Sequence, residues 1–140
     1  MRNAWTYNPH FGGVKIPPQL QEETRRRILS HAEKEYKGKF TRIDVRFRGA
    51  LCYIDAYTEP NEPSPALLKT TGETRGAYMD RPRNFPTHLC RLRYLGPHRN
   101  AWSVAFFTYS HERYDPACFH TGQMEGTPEE GFDVGAVYLQ

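Results

Sequence analysis

The residues of this chain that could do chemistry fall into three groups, and the first is a pair of arginines. In "LCRLRYLG", Leu89 to Gly96, Arg91 and Arg93 alternate with Cys90, Leu92 and Tyr94. Alternate side chains of a strand share a face, so both guanidinium groups point one way and an apolar set points the other. A guanidinium takes phosphate or carboxylate oxygens two at a time, so the pair could grip an anion. The second group is His88-x-Cys90 and Cys118-x-His120. Two imidazoles and two thiols form a donor set that tetrahedral zinc accepts, although zinc ligands are usually separated by two to four residues rather than one. A cysteine on an apolar face also packs as a small hydrophobe without any metal. Cys118 beside His120 or His111 has the residue types of a nucleophile and its base, but an active thiol needs a neighbouring cation or helix N-terminus. The third group is acidic. Glu129 and Glu130 directly follow Pro128, where helix capping explains them without catalysis. No glycine-rich phosphate loop, nucleophile elbow or HExxH motif occurs.

These residues need elements to position them. "FTRIDVRFRGALCYIDAY" alternates strictly, with Ile43, Val45 and Phe47 on one side and Arg42, Asp44 and Arg46 on the other. A two-residue turn at Arg48-Gly49 would pair Phe47 with Ala50, Val45 with Cys52 and Ile43 with Ile54. It would also set Arg42 across from Asp55, an opposite-charge pair. A second hairpin joins "THLCRLRYL" to "AWSVAFFTYS" through "GPHRN", with Tyr94 opposite Trp102, Leu92 opposite Val104 and Cys90 opposite Phe106. "ACFHTG" reads as a fifth, short strand. Leu20, Thr24, Ile28, Ala32 and Tyr36 recur every fourth residue after Pro17-Pro18, the pattern of an amphipathic helix ending near Gly38. Thr127-Pro128-Glu129-Glu130 combines an N-cap, an N1 proline and a capping-box glutamate, opening a last helix through Leu139.

The chain has 140 residues, the size of one domain (1–140) able to bury a core without disulfides or metal. Its hydrophobic content is only 38%, but aromatics reach 14% and can supply the missing bulk. Residues 1–16 form an aromatic arm with Trp5, Tyr7 and Phe11, and residues 58–86 a long proline- and glycine-rich loop in which "ALLKTT" suits a short element. No signal peptide and no membrane-spanning run are visible, and three widely spaced cysteines suit a reducing compartment. A cytoplasmic protein with no membrane partner is the expectation.

A net charge of +3 says little, but its distribution says more. Residues 1–48 carry 11 basic and 5 acidic side chains, 49–80 carry 2 and 5, 81–113 carry 6 and 1, and 114–140 carry 0 and 5. Much of the helix's positive charge is answered locally, by Glu22 to Arg26, Glu23 to Arg27 and Glu33 to Lys37, pairs worth ~0.2–0.5 kcal/mol each. Arg91 and Arg93 would face Ala105 and Ser103, with no acid across from them. The C-terminal acids Glu125, Glu129, Glu130 and Asp133 are the internal candidates to answer them.

The expectation is therefore an α+β fold: an antiparallel sheet of about five strands, two hairpins plus a short strand, with an N-terminal and a C-terminal helix. One sheet face is apolar. The other carries Arg46, Tyr53, Leu89, Arg91, Arg93, Phe107 and Tyr109. Arginines holding phosphates among rings that stack bases suit nucleic acid or another anionic ligand, an acidic protein included. A binding module of this kind, with no cofactor, is the leading reading. The second is a protein–protein module, a homodimer joined through Trp5, Tyr7 and Phe11. The third is an enzyme or zinc site built on His88, Cys90, Cys118 and His120.

Overall fold

Pro17 and Pro18 open the first helix of the computed structural model, which describes residues 12–139. Helix α1 runs Pro18–Glu35, with Pro17 extended at the N-cap, where a missing N–H costs nothing. Its buried stripe is Thr24, Ile28 and Ala32, and Leu20 and Tyr36 pack beside it. Strands β1 (Arg42–Arg48), β2 (Leu51–Tyr57), β3 (Thr87–Tyr94), β4 (Trp102–Thr108) and β5 (Arg113–Ala117) form one antiparallel sheet in the order β1-β2-β3-β4-β5. The fold is α+β, as expected.

The first hairpin keeps its faces but not its partners. Ile43 lies opposite Ala56, Val45 opposite Ile54 and Phe47 opposite Cys52, so the connecting residues are Gly49 and Ala50 rather than Arg48 and Gly49. Gly49 has φ 61°, and a glycine at the first central position is what a tight hairpin turn of this hand needs. Moving the turn by one residue moves every pair by two, so the apolar side stays apolar. Arg42 therefore meets Tyr57, its guanidinium 4.1 Å from the ring centroid, and its acid is Asp44 at 3.2 Å, not Asp55. The second hairpin has the expected register, with Tyr94 opposite Trp102, Leu92 opposite Val104 and Cys90 opposite Phe106.

Between β2 and β3 the ladder slips. Ile54 pairs with Cys90, but Asp55 pairs with His88, which leaves Leu89 as an extra residue in β3. Such a bulge reverses the alternation on one side of it. Leu89 consequently sits in the core with Cys90, both fully buried, instead of beside Arg91. His88 turns to the opposite face, with Asp55.

Strand β5 is "RYDPA" rather than "ACFHTG", and only Ala117 is shared. Pro116 lowers the strand signal of this segment, yet an edge strand tolerates proline. Residues 58–86 hold two helices, α2 (Pro65–Thr71) and α3 (Arg75–Asn84). Ser64 caps α2 through Leu67 N–H, and Thr74 caps α3 through Ala77 N–H, each at 3.1 Å. Helix α3 lacks an apolar stripe and contains Pro82; its arginines Arg75, Arg81 and Arg83 pair with Glu62, Glu73 and Glu59.

Helix α4 (Pro128–Gly135), followed by a 3₁₀ turn over Ala136–Leu139, closes the apolar face together with α1. Thr127 and Glu130 form the expected capping box. Gly131 and Gly135 let α4 lie close to the sheet: a Cβ on Gly131 would stand 2.4 Å from Leu92 Cδ2. The two helices are tied across their polar sides. Arg27 meets Glu129 at 2.7 and 2.8 Å, and Asp133 accepts from Tyr36 at 2.8 Å and lies 2.7 Å from His31 Nε2. Glu129 and Asp133 therefore answer α1, not Arg91 and Arg93. Trp102, Phe119, Phe132, Ile28, Ile54 and Leu92 are fully buried in the enclosed core, at ~1.5–3 kcal/mol for each aliphatic side chain. No helix among the described residues is long and apolar enough to cross a membrane.

Candidate functional site

The sheet face away from α1 and α4 is organised around Asp55. Its side chain is only 5% exposed, and each oxygen has its own partner. Oδ2 accepts from Arg46 Nη2 at 3.0 Å, and Oδ1 lies 2.8 Å from His88 Nδ1. In a neutral imidazole, a carboxylate at Nδ1 selects the tautomer with the proton on that nitrogen and the lone pair on Nε2. The β3 bulge sets this contact by directing His88 to Asp55. The backbone N–H of His88 donates to the Tyr109 hydroxyl at 2.7 Å, which fixes the same residue a second time.

Aromatic rings surround the group. The His88 ring lies 4.8 Å from Phe107, which in turn is 5.1 Å from Tyr114 and 4.7 Å from Tyr109. Tyr53 meets Tyr114 at 5.6 Å, and the Arg46 guanidinium stands 5.4 Å from the Tyr53 ring centroid. Edge-on packing of this kind is favoured by the ring quadrupoles and fixes each plane against the next. Burial, aided by the Asp55 charge, pushes the Tyr114 phenol up, and burial also raises Tyr109, so both stay protonated at neutral pH.

The six residues expected on this face separate by depth. Arg46 is 60% exposed in its side chain and Tyr109 47% exposed, while Tyr53 and Phe107 are half-buried. Arg91 and Arg93 are under the surface, 8% and 4% exposed, and both are engaged within the protein. The Arg91 guanidinium lies 5.2 Å from the Tyr114 ring centroid. Against Arg93 runs the chain of residues 12–16. A Cβ on Gly13, at φ 87°, would stand 2.7 Å from Arg93 Cγ, and Val14 N–H donates to the Tyr94 carbonyl at 2.8 Å. Of the three arginines in this set, the reachable one is Arg46. The two arginines that stand out in the sequence are buried.

The cysteine and histidine candidates are dispersed. His88 belongs to Asp55; Cys90, two residues on, is on the other side of the sheet, fully buried, its thiol pushed far up by burial. The bulge is the reason, because without it His88 and Cys90 would share a face. Cys118 and His120 lie exposed in the segment after β5. Among the described residues no three His, Cys, Asp or Glu side chains are grouped to hold a metal ion. Trp5, Tyr7 and Phe11, the expected dimer contacts, lie outside the described residues.

Sequence reasoning missed Asp55, Tyr114 and the orientation of His88. Asp55 has a visible signal, an acid alternating with Ile54 on the outward side of a strand. The His88 contact has none, because it depends on a one-residue slip that no periodicity displays. No protein family, no curated protein and no solved structure matches this chain.

Proposed function

We propose that the chain is a small cytoplasmic binding module that takes single-stranded nucleic acid on its outer sheet face. The observation that supports this most directly is the double engagement of Asp55. One buried carboxylate holds a guanidinium and an imidazole in fixed positions at the edge of an aromatic floor. Arg46 gives one N–H direction to Asp55 and keeps the rest of its donor fork for phosphate oxygens. Tyr53, Phe107, Tyr109 and Tyr114 offer ring surface for bases, worth ~1–3 kcal/mol per stacked base. The charge that a ligand can reach on this face suits an anion: the Arg46 side chain is 60% exposed while its Asp55 partner is buried, and Arg42 and Asp44 answer each other.

The experiment is fluorescence anisotropy with a labelled single-stranded oligonucleotide over a salt series. Binding that weakens steadily with salt, and at least fivefold with Arg46→Ala, is expected. Absence of binding at low salt, or affinity indifferent to salt, removes the reading.

A further inference from the structure

The imidazole of His88 can do more than mark the edge of the aromatic floor. Its Nδ1 is committed to Asp55 Oδ1 at 2.8 Å, its main chain to Tyr109, and its ring rests on Phe107. Among the described residues Nε2 has no hydrogen-bond partner, and the side chain is 37% exposed. A base oriented by a buried acid, with its second nitrogen open to a ligand, is the arrangement general-base catalysis requires. Among the described residues, the hydrogen-bond partners of His88 include no serine, threonine or cysteine. A nucleophile would therefore arrive with the ligand. Single-stranded RNA brings one, the ribose 2′-hydroxyl next to each phosphodiester.

Resting on the nucleic-acid reading, we infer that this face cleaves RNA by transesterification, with His88 as the base and Asp55 as its positioning residue. Nε2 of His88 takes the proton of a 2′-hydroxyl as its oxygen bonds to the adjacent phosphorus. The bond from phosphorus to the 5′-oxygen breaks, and that oxygen takes a proton from water. The hydroxide left behind recovers the proton from the His88 imidazolium. The products are a 2′,3′-cyclic phosphate and a free 5′-hydroxyl, and no redox change occurs. Arg46, on the other oxygen of Asp55, is within the same cluster to meet the charge that grows on the phosphoryl oxygens.

The test incubates the full chain with a labelled single-stranded RNA and with the DNA of the same sequence, reading binding by anisotropy and cleavage on gels. The native chain is expected to bind both and to cut only the RNA, leaving cyclic phosphate ends. His88→Gln, purified in parallel and checked for folding by circular dichroism, is expected to bind within about threefold and to cleave at least ~100-fold more slowly. Asp55→Asn should lower the cleavage rate and shift its pH profile, which a merely structural role would not do. RNA bound but uncut, or cut equally fast by His88→Gln, overturns the catalytic inference and leaves the binding proposal standing. Failure to bind either strand overturns both.

Discussion

Gly135 of α4 lies against the backbone of Leu89: a Cβ there would stand 2.7 Å from the Leu89 carbonyl carbon and oxygen. The contact falls on the residue that bulges out of the β2–β3 ladder. The last helix thus touches, through the sheet, the irregularity that turns His88 toward Asp55. A side chain at residue 135 would press on main chain, which cannot rotate away, whereas one at 131 would meet the end of the Leu92 side chain, which has rotamers to change. Gly135→Ala is expected to cost ~1–3 kcal/mol in urea unfolding, and more than Gly131→Ala. Gly135→Ala should also shift the His88 imidazole resonances, and Gly131→Ala should not. Equal costs for the two, with His88 unmoved, would mean that α4 does not set the bulge.

Removing Asp55 tests how far the outer face depends on it. Both partners are partly exposed, so they regain water when the carboxylate goes. Asp55→Ala should therefore cost ~1–3 kcal/mol, below the 3–5 typical of breaking a fully buried pair. Chemical denaturation measures this. A cost near zero would show that Arg46 and His88 are placed without it.

The three cysteines should differ sharply in reactivity. Cys52 and Cys90 are fully buried, and burial pushes both thiols up, away from the reactive thiolate, while Cys118 is exposed. Iodoacetamide at neutral pH is expected to label one site per native chain, Cys118, and three in denaturant, as read by intact mass. Native labelling of Cys52 or Cys90 would mean that the sheet opens far more readily than its packing implies.

At the β4–β5 turn Asp115 accepts from Thr108 at 2.6 Å and Arg113 at 2.9 Å, with His111 Nδ1 3.3 Å away. These hydrogen bonds, Thr108 first, hold its carboxyl down at about 2 from an ordinary 3.8. A lowered carboxyl stabilises the folded chain above its unfolded value and loses that contribution as pH falls through its folded one. The turn is therefore expected to loosen between pH ~4 and ~2, seen as a loss of hydrogen-exchange protection around Arg113. In Asp115→Asn that pH response should disappear. A response that persists in the variant would place the titrating group elsewhere.

Thr127 caps α4 through Glu130 N–H at 3.1 Å, and Glu130 returns a bond to Thr127 N–H at 2.9 Å. Thr127→Ala is expected to destabilise by ~1 kcal/mol, measured by thermal or urea unfolding. No change would indicate that sheet packing alone holds the helix.

What the sequence made legible follows from period and punctuation. Alternation placed Ile43, Val45, Leu92 and Val104 on the apolar face, and the Thr127 box placed α4, because each is a local rule that the sheet and core reinforce. The turn at Gly49-Ala50 was misplaced by one residue because face parity cannot distinguish registers two residues apart. Helix α3 was hidden because caps and ion pairs hold it, without an apolar stripe. The candidate site was half visible. Arginines and rings on one face could be read off directly, but burial depth could not, so alternation alone does not separate the buried Arg91 and Arg93 from the exposed Arg46. His88 was hidden by the Leu89 slip.

Each strand pairs with its immediate successor in the chain, and the helix that completes the cover over their greasy side follows all five. On a ribosome the ladder can zip as it emerges, yet the part of the hydrocarbon surface that α1 does not cover stays bare until α4 has been made. Shortened chains lacking the closing helix should consequently stick to one another and to chaperones, even though every hydrogen-bonded rung of the sheet has already been synthesised.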